Sequence, residues 1–240
     1  MLDTVQPVNK AQSYKLFDRI AGRYDSLNRI LSLGIDLYWR RVLSRSLAAK
    51  PIKVLDLATG TADQIIDLVS VYPSIENAIG LDLSNGMLEK GRAKVLDAGF
   101  EDRITLREGD AQNLPFPEST FQATSISFGI RNIPDVALAL REMLRVLVPG
   151  GQSFVLEFST PRNRIFRTFY FFYLRHVLPQ IGALLSGDSV AYRYLNQTIE
   201  GFPSGNEFCA LMTKAGFVHI RARPLTFGIA TLYSGEKRAL

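Results

Sequence analysis

Two short apolar runs, each carrying an acid at its end, constrain this chain more than any other feature: Val54-Leu55-Asp56-Leu57, leading into Ala58-Thr59-Gly60-Thr61-Ala62-Asp63, and Ile79-Gly80-Leu81-Asp82 one βα unit later. Such runs, bounded by turn residues, read as buried strands of a parallel sheet. Sheets of this kind bind ligands at the carboxyl ends of their strands, where the connections diverge. Asp56, Asp82, Asp110 and Ser127 are expected along that edge. Asp82 suits both hydroxyls of a ribose, because one carboxylate can accept two hydrogen bonds at once. A dinucleotide would use the same acid, but its pyrophosphate needs glycines that let backbone amides approach closely. Here Ala58 and Ala62 stand where such a turn wants glycine, and only Gly60 remains. S-adenosylmethionine (SAM) has no phosphates and carries a sulfonium and an ammonium, so a turn supplying Asp56 and Asp63 suits it better.

The rest of the sequence supplies the frame. Helices with an apolar face are predicted over Lys10 to Ala21 and Tyr38 to Ala49, separated by Tyr24 to Asp36, and Pro51 closes that region. Strands and helices then alternate: strand Ile52 to Leu57, helix Gln64 to Val71, strand Ala78 to Leu83, helix Gly86 to Ala98 and strand Ile104 to Glu108. Strand Phe121 to Ser127, helix Asp135 to Leu147, a turn at Pro149-Gly150-Gly151 and strand Ser153 to Phe158 follow. This alternation predicts an α/β fold, a doubly wound, seven-stranded, mostly parallel sheet. A helical, aromatic insert precedes the last elements, which are a helix over Ser204 to Ala215 and a hairpin of Phe217 to Arg223 with Thr226 to Tyr233. We expect one domain, in which residues 1–50 form a helical lid, 51–159 the cofactor core, 160–201 the insert and 202–240 the closing helix and strands.

With 240 residues, 47% of them hydrophobic, the chain can bury one substantial core. Its formal charge of +5 points to an anionic partner, either nucleic acid or a phospholipid surface. A single cysteine, Cys209, excludes an internal disulfide and fits a reducing compartment. The polar N-terminus is too short for a signal peptide, so a cytoplasmic protein is expected, peripheral on the inner face of the cell membrane. In the insert, Arg162, Arg164, Arg167, Arg175 and Arg193 accompany many aromatic residues. That composition suits a surface dipping into anionic headgroups, and equally a roof over the active site or a homodimer contact.

Position along the sheet edge suggests further contacts. Asp110 and Ala111 offer an acceptor and an apolar wall to adenine, Gly60 and Thr61 face the methionine end, and Ser127 lies beneath the sulfonium. No cluster suggests a metal.

Two longer motifs then carry a resemblance. Tyr24-Asp25-Ser26-Leu27-Asn28-Arg29-Ile30-Leu31-Ser32-Leu33-Gly34-Ile35-Asp36-Leu37-Tyr38-Trp39 is similar to the pattern Y-D-x-M-N-x-x-[LIVM]-S-x-x-x-H-x-x-W, departing at Leu27 and Asp36. Arg145-Val146-Leu147-Val148-Pro149-Gly150-Gly151, with Leu156-Glu157-Phe158-Ser159 after it, resembles a second pattern and departs at Val148 and Ser153. With Ser127-Phe128-Gly129-Ile130-Arg131-Asn132, His176-Val177-Leu178-Pro179 and Tyr192-Arg193-Tyr194-Leu195, the chain resembles the C-methyltransferases of menaquinone and ubiquinone biosynthesis, class I SAM-dependent enzymes, from about Val8 onward.

The resemblance implies methylation of a ring carbon of a prenylated quinol, with demethylmenaquinol favoured over a ubiquinone precursor. Arg131 and Asn132 would then contact the quinol oxygens and Tyr24 would share a water from the lid. Asp36, where the family carries histidine, removes a proton-transfer role from that position. Two rivals remain open: a nucleic-acid methyltransferase, which the missing Pro-Pro-aromatic turn and the remote Cys209 disfavour so that no nucleic acid is expected, and a non-catalytic SAM-binding subunit.

Overall fold

The computed structural model describes Lys10 and residues 13–47, 52–177, 180 and 189–239. Three helices come first: α1 (Ser13–Ile20), α2 (Tyr24–Leu31) and α3 (Ile35–Ser44). Next come β1 (Lys53–Leu57), α4 (Asp63–Val71), β2 (Asn77–Asp82), α5 (Asn85–Asp97), β3 (Ile104–Glu108), β4 (Phe121–Ser127), α6 (Val136–Val146) and β5 (Leu147–Phe158). The described chain ends with α7 (Arg164–Phe172), α8 (Ser189–Gly201), α9 (Asn206–Ala215), β6 (Val218–Leu225) and β7 (Ala230–Glu236).

All seven strands form one sheet in the order β3-β2-β1-β4-β5-β7-β6. β1 pairs in parallel with β2 on one side and β4 on the other, while β7 runs antiparallel to both β5 and β6. From β1 the chain winds outward to β3 and then crosses back to β4, so the loops after β1 and β4 leave in opposite directions and open a crevice. Side chains alternate across the strands. Val54 and Phe154 pack with Trp39, Leu43, Leu68 and Leu88 on one face, and Leu55, Leu57 and Val155 pack with Leu140, Met143, Phe208 and Met212 on the other.

The helix expected over Tyr38 to Ala49 is α3, shifted to start at Ile35, and the last strand starts at Ala230 because Thr226–Gly228 forms a 3₁₀ turn with Phe227 at φ +56°. Two further segments differ in kind from the expected layout. The connection predicted over Tyr24 to Asp36 contains a helix, α2, and the true break is Ser32 to Gly34, where Leu33 and Gly34 take φ of +53° and +76°. Ion pairs from Arg29 to Asp36, across the break, and to the distant Asp63 anchor this segment. The Pro149-Gly150-Gly151 segment is a bulge inside β5, not a turn before it. α6 runs straight into Leu147, which pairs with Phe121, and the register then jumps to Ala123↔Gln152. The bulge is held because Gly150 N donates to Lys237 O and Lys237 N to Gly151 O, each at 2.9 Å. Of the resembling segments, Leu178 and Pro179 lie outside the described residues, as do residues 181–188 of the insert.

Between β1 and β4 lies a fully buried acid. Asp56 accepts hydrogen bonds from the hydroxyls of Thr59 (2.7 Å) and Ser125 (2.5 Å), so it links the two central strands and stands away from the cleft. Burial pushes its carboxyl up to about 6, against the two hydroxyls and the charge of Arg40. An aspartate more easily protonated when folded than when unfolded removes stability as pH rises from its unfolded value of about 4 to its folded one. Between roughly pH 5 and 7 the protein should lose about 1 kcal/mol of unfolding free energy through this group, and Asp56→Asn should remove that slope. Urea titrations of both proteins across this range measure the difference, and parallel profiles would return Asp56 to the ordinary carboxyl range.

Candidate active site

A cleft opens over the carboxyl ends of β1 to β4. Gly60, Asp82, Asp110, Ala111 and Ser127 line it from the sheet, and Ser13, Tyr14, Phe17 and Tyr24 cover it from α1 and α2. The turn after β1 bends through three left-handed residues, Ala58, Gly60 and Ala62, with φ of +45°, +56° and +67°. Two of them are alanines, and an L-residue in this region costs on the order of 1 kcal/mol. The Ala58 methyl borders the cleft, where a dinucleotide turn would bring bare backbone to a pyrophosphate, whereas Ala62 is fully buried in the core. Glycine is required opposite the turn: a Cβ on Gly129 would lie 2.5 Å from the Ala58 methyl carbon.

Asp82 occupies the meeting point of these loops. One carboxylate oxygen accepts from Gly60 N and the other from Ser84 N, each at 2.8 Å. These amides fix the carboxylate plane and leave one lone pair per oxygen, the number needed by two vicinal hydroxyls. Burial pushes this carboxyl above the ordinary aspartate value, opposed by the two amides and reinforced by Asp18. Asp110 is oriented in a similar way, by the amide N and side-chain Nε2 of Gln112 at 2.9 and 3.2 Å. Ser127 borders the cleft, but its hydroxyl donates to Gln64 Oε1 at 3.0 Å.

Other residues stand differently from expectation. The Thr61 hydroxyl is buried and donates to Asp25 Oδ1 at 2.6 Å, so it is turned from the cleft towards α2. Asp25 also receives Lys94 Nζ at 2.9 Å. Asp63, read as a partner for the cofactor's positive charge, is taken by Lys94 and Arg29. Burial pushes its carboxyl up, but Arg40, Lys94 and Arg29 outweigh that and hold it below the ordinary range. Asp36 joins the same network through Arg29 and Ser32 and does not line the cleft. These pairs lock α2 and α3 onto α4 and α5.

The turn after β4 separates two residues expected to act together. Asn132 lines the cleft, and its side-chain oxygen is buried without a hydrogen-bond partner among the described residues. Arg131 points behind the turn. Its Nη1 pairs with Glu157 Oε1 at 2.8 Å and donates to Phe128 O, and its guanidinium lies 5.3 Å from the centroid of the Phe158 ring. A buried arginine needs such a partner, and Glu157 on β5 supplies it from the core side. Tyr24 lines the cleft, set edge-on against Phe17 at 6.1 Å.

Sequence reasoning missed Asp18. It accepts from Ser84 Oγ at 2.5 Å and Gly86 N at 3.0 Å, which fastens α1 across the start of α5. An acid in mid-helix ordinarily faces solvent, and Asp18 becomes a cap only because α1 crosses there. Since hydrogen bonds to charged groups contribute about 1.5–3 kcal/mol, Asp82→Asn should weaken SAM binding by roughly ten- to a hundredfold. Calorimetric titration of both proteins tests this, and equal affinities would remove Asp82 from the site.

Comparison with known proteins agrees with this geometry. The model of the ubiE/COQ5 methyltransferase family matches residues 5–237. The ubiquinone/menaquinone biosynthesis C-methyltransferase UbiE of Syntrophotalea carbinolica is 50% identical over 221 residues, covering 92% of each chain. The demethylmenaquinone methyltransferase of Deinococcus radiodurans is 44% identical over 226 residues, covering 93% of this chain and 92% of that protein. Among solved structures, a SAM-dependent methyltransferase from Aquifex aeolicus shares the fold with a TM-score of 0.60 at 16% identity, over 85% of this chain and 92% of that one. A family model that spans nearly the whole chain, with relatives alike in close to half their residues, places this chain in the ubiE/COQ5 methyltransferase family.

Proposed function

We propose that this SAM-dependent C-methyltransferase acts on a ring carbon of a prenylated hydroquinone, demethylmenaquinol in the first instance, with residues 1–50 as the lid over the site. The observation that carries this reading is Asn132, which lines the cleft and whose side-chain oxygen has no hydrogen-bond partner among the described residues, leaving it free to accept from a ring hydroxyl. Only the reduced ring has that hydroxyl. The names of the relatives support the substrate class, and those from Deinococcus radiodurans and Thermus thermophilus specify demethylmenaquinone. A second reading, methylation of a benzoquinol precursor of ubiquinone, draws support from relatives named for both pathways.

When bound, SAM supplies an electrophilic methyl on a cationic sulfur that departs as a neutral thioether. Asp82 and Asp110 hold the nucleoside end, so the methyl faces the Ser127–Asn132 side of the cleft. Asn132 orients the ring hydroxyl; its proton passes to solvent, the adjacent carbon attacks the methyl as the thioether departs, and the proton then lost from that carbon restores aromaticity while the ring oxygen regains a proton from solvent. Tyr24 and Phe17 exclude water from above. The chief contribution is alignment at about 3–3.5 Å with a dry surround. Glu157 cancels much of the Arg131 charge, so Arg131 contributes geometry to the Asn132 turn more than potential.

A lipid-tailed acceptor must be collected from a membrane, and the insert is suited to that. Ile165, Phe169 and Phe172 project from α7 with 72%, 69% and 58% exposure, beside Phe227 of the β6–β7 turn at 81%. Arg162 and Arg164 are exposed next to them. Aromatic bodies between arginines match the interface of an anionic bilayer. Among the described residues, no helix is long and apolar enough to cross a membrane.

Two measurements test these readings. With labelled methyl donor, reduced naphthoquinol should be methylated and the oxidised ring should not, while equal turnover of the oxidised ring would exclude a hydroxyl-assisted carbon nucleophile. The double variant Phe169→Glu, Phe227→Ser should bind SAM normally but co-sediment at least tenfold less with phosphatidylglycerol vesicles. Undiminished co-sedimentation would move the membrane face elsewhere.

A further inference from the structure

Behind the Asn132 turn lies a group of polar atoms that the roles described so far leave unexplained. Arg131 Nε, the Tyr170 hydroxyl on α7 and the Tyr194 hydroxyl on α8 are buried with no hydrogen-bond partner among the described residues. The two tyrosines are 7% and 6% exposed and share one apolar cluster with Leu16 of α1 and Leu174. α8 packs on the Ile130–Asn132 turn itself. The charge of Arg131 acts on both phenols, and that of Glu157 on Tyr170. Ser13, which lines the cleft, lies beside the Tyr194 hydroxyl without a well-formed hydrogen bond.

Folding alone gives no reason for these hydroxyls. Phenylalanine would fill the same volume at either position and would not bury an unsatisfied polar group, which destabilises a fold. Orphaned buried polar atoms are ordinarily satisfied by ordered water. Two hydroxyls and one guanidinium N–H supply the two to four hydrogen bonds such a water makes. We propose that Tyr170 and Tyr194 are positioning residues for methyl transfer: through one ordered water they hold Arg131 Nε, and so fix the turn that presents Asn132 to the acceptor. The insert thereby acts on the reaction from behind the site as well as at the surface. Burial pushes both phenols above the ordinary tyrosine value, so they remain neutral donors and their task is orientation, not proton transfer. The acceptor in this inference is the hydroquinone of the proposed function; the hold on Arg131 does not depend on it.

The test uses Tyr170→Phe, Tyr194→Phe and the pair, each also combined with Arg131→Lys. In the doubly substituted protein, kcat should fall at least tenfold with KM for SAM unchanged, and the melting temperature should stay level or rise. A merely structural role would instead lower the melting temperature. In the Arg131→Lys background the two phenylalanines should cause no further loss, as expected for residues acting through one group. The Arg131 Nε–H proton resonance, assigned by its disappearance in Arg131→Lys, should shift and exchange faster with solvent in the phenylalanine variants. An unmoved resonance overturns the proposal whatever the activity. Unchanged kcat with active wild type overturns it as well. A shifted resonance in a protein that methylates neither naphthoquinol nor benzoquinol keeps the hold on Arg131 and rejects the acceptor reading instead.

Discussion

The carboxylate of Asp82 is the joint on which the cleft depends. Its two oxygens take the amides of Gly60 and Ser84, so the turn after β1 and the start of α5 are set by one side chain at the end of β2. Ser84 extends the joint by donating its hydroxyl to Asp18, which brings α1 over the opening. One acid thus organises both the floor and the cover, and the lone pairs it keeps face the space between them. The left-handed alanines beside it tighten the turn, the Ala58 methyl bordering the cleft and the Ala62 methyl packing into the core.

The strands could be read directly because each combines a burial pattern with clear punctuation. β3 and β4 begin and end where the apolar runs do, and β1 and β2 shift by a residue. Elements set by distant partners could not be read in this way. α2 is anchored by Arg29 reaching Asp36 and Asp63, and nothing local to Tyr24–Leu31 announces those contacts. The bulge in β5 looked like a turn because Pro-Gly-Gly usually ends an element, and backbone bonds to Lys237, just past the end of the neighbouring β7, keep it within the sheet.

The same division holds in the site. Gly60, Asp82, Asp110, Ala111 and Ser127 were legible because strand ends fix which residues can reach the crevice. Thr61, in the loop, and Asp63, at the start of α4, follow directly and are drawn away from the cleft by Asp25 and Lys94 of distant helices. Arg131 and Asn132 are adjacent in sequence yet face opposite ways across a single 3₁₀ turn, one to the core and one to the cleft. Adjacency in the chain carries no information about facing when the turn is that tight.

The indole of Trp39 has a hydrogen bond to Thr226 Oγ1 at 2.8 Å, joining the third helix to the hairpin between the final two strands. A growing chain emerges from the ribosome amino end first and folds largely in that order. Trp39 is therefore made 187 residues ahead of its partner. α3 can pack on α4 as soon as that helix exists, but its tie to the hairpin forms only after β6 has been translated, so the helical layer is fastened to the antiparallel edge of the sheet late in folding.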